Sequence, residues 1–196
     1  HPEDIAQLLS SGVTAVGLEA IEDALGNAPI LTSMSEIAGG LSVVFGAGAL
    51  LNTGRGQSGR GILLGGAPGV PPAHFVVLGA GVLGTSAART AMGLGAQVSI
   101  LDVAIEPLRR AREALGQGLT TMLATPPNIE KAIAFADVLL CAASVHGQRA
   151  PLLIRREMLA LIERRIKKDD IRNVELVLGT EAEPGLRYAN AGALAE

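Results

Sequence analysis

A chain of 196 residues with 48% hydrophobic content can hold one full α/β domain and some additional segments. Aromatics are only 2%, so its core must come from Val, Leu, Ile and Ala, which suits a parallel sheet covered by helices on both faces. A net charge of −3 argues against nucleic acid or a membrane surface as the main partner, and no apolar run approaches the roughly 18 residues that span a bilayer.

In chain order, residues 2–11 (PEDIAQLLSS) read as a short amphipathic helix closed by Gly12. Residues 13–18 read as a strand and 23–29 as a loop. These pieces make no core by themselves, so residues 1–32 read as the trailing segment of another, substrate-type domain. The chain opens on His1 instead of Met, as a processed product or a piece of a longer protein would. Ser33 followed by Glu36 forms a capping box, which predicts a helix over 33–51 and makes 33–52 a connecting helix. Gly39, Gly40, Gly46 and Gly48 inside it are poor helix formers, each costing up to about 1 kcal/mol. Another backbone packing closely would offset that cost. Residues 52–66 (NTGRGQSGRGILLGG) read as a flexible connection with Arg55 and Arg60 exposed, and Pro68, Pro71 and Pro72 stiffen the exit.

The informative stretch is 75–102, FVVLGAGVLGTSAARTAMGLGAQVSILD. An apolar run enters Gly79-Ala80-Gly81-Val82-Leu83-Gly84, a small-residue helix follows, and a second apolar run ends in Asp102. Strand, glycine turn, helix, strand and acid together form the dinucleotide-binding fingerprint. Gly79 permits the tight turn, Gly81 lacks the Cβ that would block a pyrophosphate, and Gly84 lets helix lie close on strand. The helix N-terminus supplies free N–H groups and a positive dipole end. Asp102 stands 18 residues beyond Gly84, near the roughly 20 expected of a ribose-binding acid. The cofactor this implies is NAD, since an acid there repels a 2′-phosphate.

Beyond it, 106–115 reads as a helix with Pro107 in its first turn, 119–123 as a strand, 129–136 as a helix and 137–142 as a strand. Residues 151–165 read as a helix with a solvated basic run, 174–178 as a fifth parallel strand, and 181–196 as a tail without a clear period. The fold class is therefore α/β, a Rossmann-type doubly wound parallel sheet over 53–180 with a short N-terminal remnant of a second domain. The single cysteine, Cys141, excludes an internal disulfide and fits a reducing cytoplasm, and no signal-peptide pattern opens the chain. Cys141 reads as a structural thiol in an apolar strand and His74 as a surface residue, while His146 lies near the expected cofactor edge. No His/Cys/Asp cluster has metal-ligand spacing, and no residue can be assigned a catalytic role.

Several words resemble the alanine dehydrogenase and pyridine nucleotide transhydrogenase family: residues 34–39 (MSEIAG), 61–70 (GILLGGAPGV), 79–84, 93–98 (GLGAQV), 100–102 (ILD), 128–130 (NIE), 150–151 (AP) and 156–158 (REM). The full 61–70 word favours the alanine dehydrogenase branch. The resemblance implies an NAD domain working against an N-terminal substrate domain, reduction of an imine of pyruvate to L-alanine, and a homo-oligomer assembled through the region of the connecting helix. It places Ser35 beside the cofactor, Gly79 to Gly84 on the pyrophosphate, Asp102 on the ribose, and Ala143, Ser144 and Val145 against the cofactor at the sheet edge. The substrate would be a small amino acid or 2-oxo acid.

The departures matter equally. The family's catalytic lysine and histidine belong upstream of the matched part, and His1 is not that histidine. The family's strand word with a catalytic aspartate is missing after Met158, where Glu181 and Glu183 are acidic without supporting spacing. Pro107 replaces a basic residue common near the adenosine, and Ala124 a serine. Two readings stay open: the NAD-binding part of an oxidoreductase, or a non-catalytic NAD-binding or assembly module working with a partner chain.

Overall fold

The computed structural model describes residues 2–52, 59–143, 153, 154, 158 and 177–178. Its frame is a five-stranded parallel sheet in the order β3-β2-β1-β4-β5. The strands are β1 (His74–Leu78), β2 (Gln97–Asp102), β3 (Thr120–Leu123), β4 (Val138–Cys141) and β5 (Val177–Leu178). The helices are α1 (Pro2–Ser10), α2 (Pro29–Leu50), α3 (Val82–Gly93), α4 (Ile105–Leu115) and α5 (Pro126–Phe135).

Alternation along the apolar strands sends side chains to two cores. Phe75 and Val77 of β1 and Ile100 of β2 pack with Ala87, Ala88 and Ala91 of α3 and Leu108 and Ala111 of α4. Val76, Leu78 and Leu101 face the other way, onto Ile129, Ala132 and Ile133 of α5 and onto Met158. Small alanines on α3 let that helix ride close to the sheet, so the doubly wound class expected from the pattern is the one observed. Register pairs Leu78 with Leu101 and Cys141, and Asp102 with Leu123, so the strands end together along one edge.

The N-terminal third departs from expectation. Residues 13–17 carry no strand and pair with no strand among the described residues, and Leu18 begins a 3-10 turn over Leu18–Ala20. Apolar β-formers need a sheet edge to pair with, and Val13 and Val16 have none and stand exposed. The capping box is also absent. Helix α2 starts four residues before Ser33, with Pro29 in its first turn, and the Ser33 hydroxyl donates to the Pro29 carbonyl at 3.1 Å. Proline's fixed φ and missing N–H make it a natural first residue, so the helix begins there and Ser33 falls a full turn inside. The same effect places Pro126 and Pro127 within α5 instead of before it.

With 22 residues and an 18-residue stretch of mean hydropathy 1.4, α2 is long and apolar enough to cross a membrane, contrary to the expectation that no segment comes near that length. In this fold it is a packing helix. A Cβ on Gly39 would lie 2.9 Å from both Ala87 N and Ser86 Cβ of α3, and one on Gly46 would lie 2.9 Å from Val138 Cγ1 and 3.4 Å from Phe75. Gly39 thus meets another helix, as expected, and Gly46 meets the sheet, while Gly48 has nothing within 4 Å.

The segment after residue 58 is tied down instead of being a loose linker. Gly61 and Ile62 donate to the Leu50 carbonyl, Leu64 is buried, and Ala73 donates to the Leu64 carbonyl. Arg60, expected to be exposed, pairs with Asp137, whose second oxygen accepts the His74 N–H at 2.8 Å. This ion pair joins the segment to the N-terminal ends of β1 and β4. Arg55, the basic run of 155–168, and 181–196 lie outside the described residues.

Candidate functional site

β1 is flanked by β2 on one side and β4 on the other, so the connections leave it in opposite directions and a crevice opens beyond the strand ends. The turn after β1 and the chain after β4 meet there. Gly79 adopts φ +111°, and a Cβ on it would lie 2.7 Å from the Ala142 carbonyl carbon and 2.8 Å from Ala143 N. It therefore serves both the tight turn and the closeness of the two loops. Gly84 faces backward, and a Cβ there would overlap the Gly79 carbonyl oxygen and lie 3.1 Å from Val77 Cγ1. Gly81 faces outward, with nothing within 4 Å of where a Cβ would be. It caps α3 without a side-chain hydrogen bond, leaving the first-turn N–H groups with no capping side chain.

Asp102 ends β2 beside this turn. Its Oδ2 accepts the Ala80 N–H at 2.8 Å and its Oδ1 the Ala104 N–H at 2.9 Å. Val103 and Ile105 follow it as exposed apolar residues, 76% and 60% accessible. Sequence reasoning did not single them out, although two apolar residues just past the acid are legible as a ledge at that edge. An open helix N-terminus, a turn free of Cβ atoms on its outer side and a carboxylate next to it fit a nucleotide with a diphosphate and a ribose.

The structure brings Gly79, Ala80, Gly81, Val82, Leu83, Gly84, Asp102 and Ala143 to this edge. From α2, the Glu36 carbonyl accepts the Ser86 hydroxyl of α3 at 2.8 Å, so the part of α2 that carries Ser35 runs along the first turns of α3. Ser144, Val145 and His146 lie outside the described residues. His74 is at the opposite end of β1, half-buried, with its ring edge-on to Phe135 at 5.4 Å. Cys141 packs among Leu139, Met158 and their neighbours, and burial pushes its thiol up to about 11, so it is no ready nucleophile.

The model of the alanine dehydrogenase/PNT C-terminal domain matches residues 42–165. Alanine dehydrogenase of Bacillus subtilis (strain 168) is 40% identical over 158 residues, covering 81% of this chain and 41% of that protein. Alanine dehydrogenase of Mycobacterium tuberculosis (strain ATCC 25618 / H37Rv) is 41% identical over 153 residues, covering 78% and 40%. A solved L-alanine dehydrogenase superposes with a TM-score of 0.73 at 45% identity, over 81% of this chain and 43% of that one. A transhydrogenase from Sinorhizobium meliloti gives 0.63 at 26% identity, over 82% and 47%. The chain thus spans about two fifths of the length of these curated relatives. With a matching family model across most of its length, this chain belongs to the alanine dehydrogenase/PNT family, through that family's C-terminal domain.

Proposed function

We propose that the chain is the NAD(H)-binding part of an alanine-dehydrogenase-like oxidoreductase acting on a small amino acid or its 2-oxo-acid imine. The observation that carries this is the Gly79–Gly84 turn opening beside Asp102 at the point where the strand order reverses. When bound, the nicotinamide supplies hydride chemistry. The chain's own residues accept the phosphates at the N-terminus of α3, hold the adenosine ribose at Asp102, and border the nicotinamide side from Ser35 and the segment after Ala142.

The preferred cofactor is NAD(H) over NADP(H). The Asp102 carboxylate accepts hydrogen bonds from ribose hydroxyls and repels a 2′-phosphate. No arginine immediately follows Asp102; Arg109 and Arg110 lie one or two turns further on and are exposed, Arg109 being 3.6 Å from Glu106. Calorimetric titration with both cofactors tests the assignment, and equal affinities would sink it.

The resemblance also supports a homo-oligomer and a cytoplasmic setting. A second reading, a non-catalytic NAD-binding or assembly module that works with a partner chain, draws support from the large apolar side chains exposed along residues 5–51. Cofactor binding with no turnover, even after addition of a separately made substrate domain, would favour that module.

A further inference from the structure

We propose that Asp102 is a positioning residue for the glycine turn as well as a ribose acceptor, so that a single substitution there weakens both cofactors instead of exchanging their order. The proposal rests on the dinucleotide reading above and adds the part of Asp102 that acts through the turn. Both carboxylate oxygens are already engaged with backbone. Oδ2 holds the Ala80 N–H at 2.8 Å, across 22 residues of chain, and Oδ1 holds the Ala104 N–H at 2.9 Å. A carboxylate offers about four acceptor sites, so two remain for ribose hydroxyls while the turn stays held. Ala80 is buried at 6% exposure, which leaves its N–H no easy water in place of the carboxylate. Gly79, next to it, is wedged against Ala142 on the β4 side, and on the β2 side its N–H donates to the Leu101 carbonyl at 2.7 Å, so Asp102 adds a second β2-side tie, at Ala80. Removing the carboxylate leaves the Gly79 tie in place but releases the Ala80 end of the turn, at the place where phosphates must dock, whatever the ribose carries.

The test compares the 196-residue chain with Asp102→Ala and Asp102→Asn. Without ligand, exchange of the Ala80 amide, read by NMR, should be about tenfold faster or more in Asp102→Ala, the scale of losing one charge-assisted bond. It should be intermediate in Asp102→Asn, which keeps one acceptor oxygen, while exchange in β4 stays unchanged. The affinity of 2′,3′-dideoxy-ADP, which offers no ribose hydroxyl, should also fall in Asp102→Ala, and that of NAD⁺ should fall further. Unchanged protection at Ala80, or unchanged dideoxy-ADP affinity, overturns the proposal. Failure of the unaltered chain to bind NAD⁺ would instead strike the dinucleotide reading, and the ligand-free exchange comparison would still decide the positioning role.

Discussion

Gly81 and Gly84 stand three residues apart, and their surroundings give opposite expectations. Alanine at Gly84 would force its methyl into the Gly79 carbonyl, an overpacking cost of about 1–3 kcal/mol, and would distort the turn. Alanine at Gly81 meets nothing within 4 Å, so it should leave the melting temperature nearly unchanged while reducing NAD⁺ affinity, because the methyl enters the space a pyrophosphate uses. Thermal melts and titrations of both variants check the pair, and equal destabilisation would show that Gly81 is a packing residue. Cys141 gives a pH expectation. Burial raises its thiol to about 11, so the folded state favours the protonated form. Its contribution is fully present below the unfolded value and is lost as pH rises through about 11. Alkylation by iodoacetamide at pH 8 should therefore be far slower in the folded chain than in urea, and comparable rates would refute the burial.

At the scale of elements, α2 has one packed face and one exposed face. Gly39 and Gly46 face inward, onto α3 and onto Val138 and Phe75, while Ile37, Leu41, Val44 and Phe45 stand outward and at least 50% exposed. The homo-oligomer expected through this helix cannot therefore be held by Gly46, which packs within its own chain. Leucine at Gly46 should destabilise the monomer by about 1–3 kcal/mol or more, since its first carbon already meets Val138 at 2.9 Å. The self-association proposed above would use the outward face. Glutamate at Leu41 and Phe45 should shift the chain toward monomer in light scattering without lowering the unfolding midpoint; an unchanged mass would assign that face elsewhere.

At the scale of the whole chain, binding and catalysis should separate. The chain spans about two fifths of its curated relatives, and the resemblance leads us to expect the family's lysine, histidine and aspartate outside the words matched here. Reduction of an imine needs a positioned acid/base group, whose loss alone typically costs about 10²–10⁴ in rate. The purified 196-residue chain should bind NADH yet give no measurable oxidation of NADH with pyruvate and ammonia. Robust turnover would mean that catalytic groups lie among its own residues, with His146, Glu181 and Glu183 the first to replace.

Residues 75–142 were legible almost element by element, because each strand is a short apolar run, each turn is marked by glycine or proline, and the local pattern and the buried sheet demand the same thing. The glycine turn and Asp102 were legible for the same reason: their spacing is fixed by one strand, one helix and the next strand. What the sequence could not decide is where two local signals compete or two distant segments meet. Residues 13–18 have strand-forming side chains, but pairing depends on a sheet edge that the fold does not offer them. Ser33 and Glu36 have the right spacing for a cap, yet Pro29 starts the helix earlier. Arg60 looked like a loop cation until β4 brought Asp137 to it. Gly79 was read as a turn residue, and only the approach of Ala142 and Ala143 shows that it also lets two loops touch. The sequence by itself determined the α/β pattern, the turn and the acid, since those rest on contacts within about thirty residues of chain. The tertiary structure decided which glycines face inward, which charge is paired, and that Asp102 grips the turn it serves, because each of these depends on segments that only the closed sheet brings within hydrogen-bond or van der Waals reach.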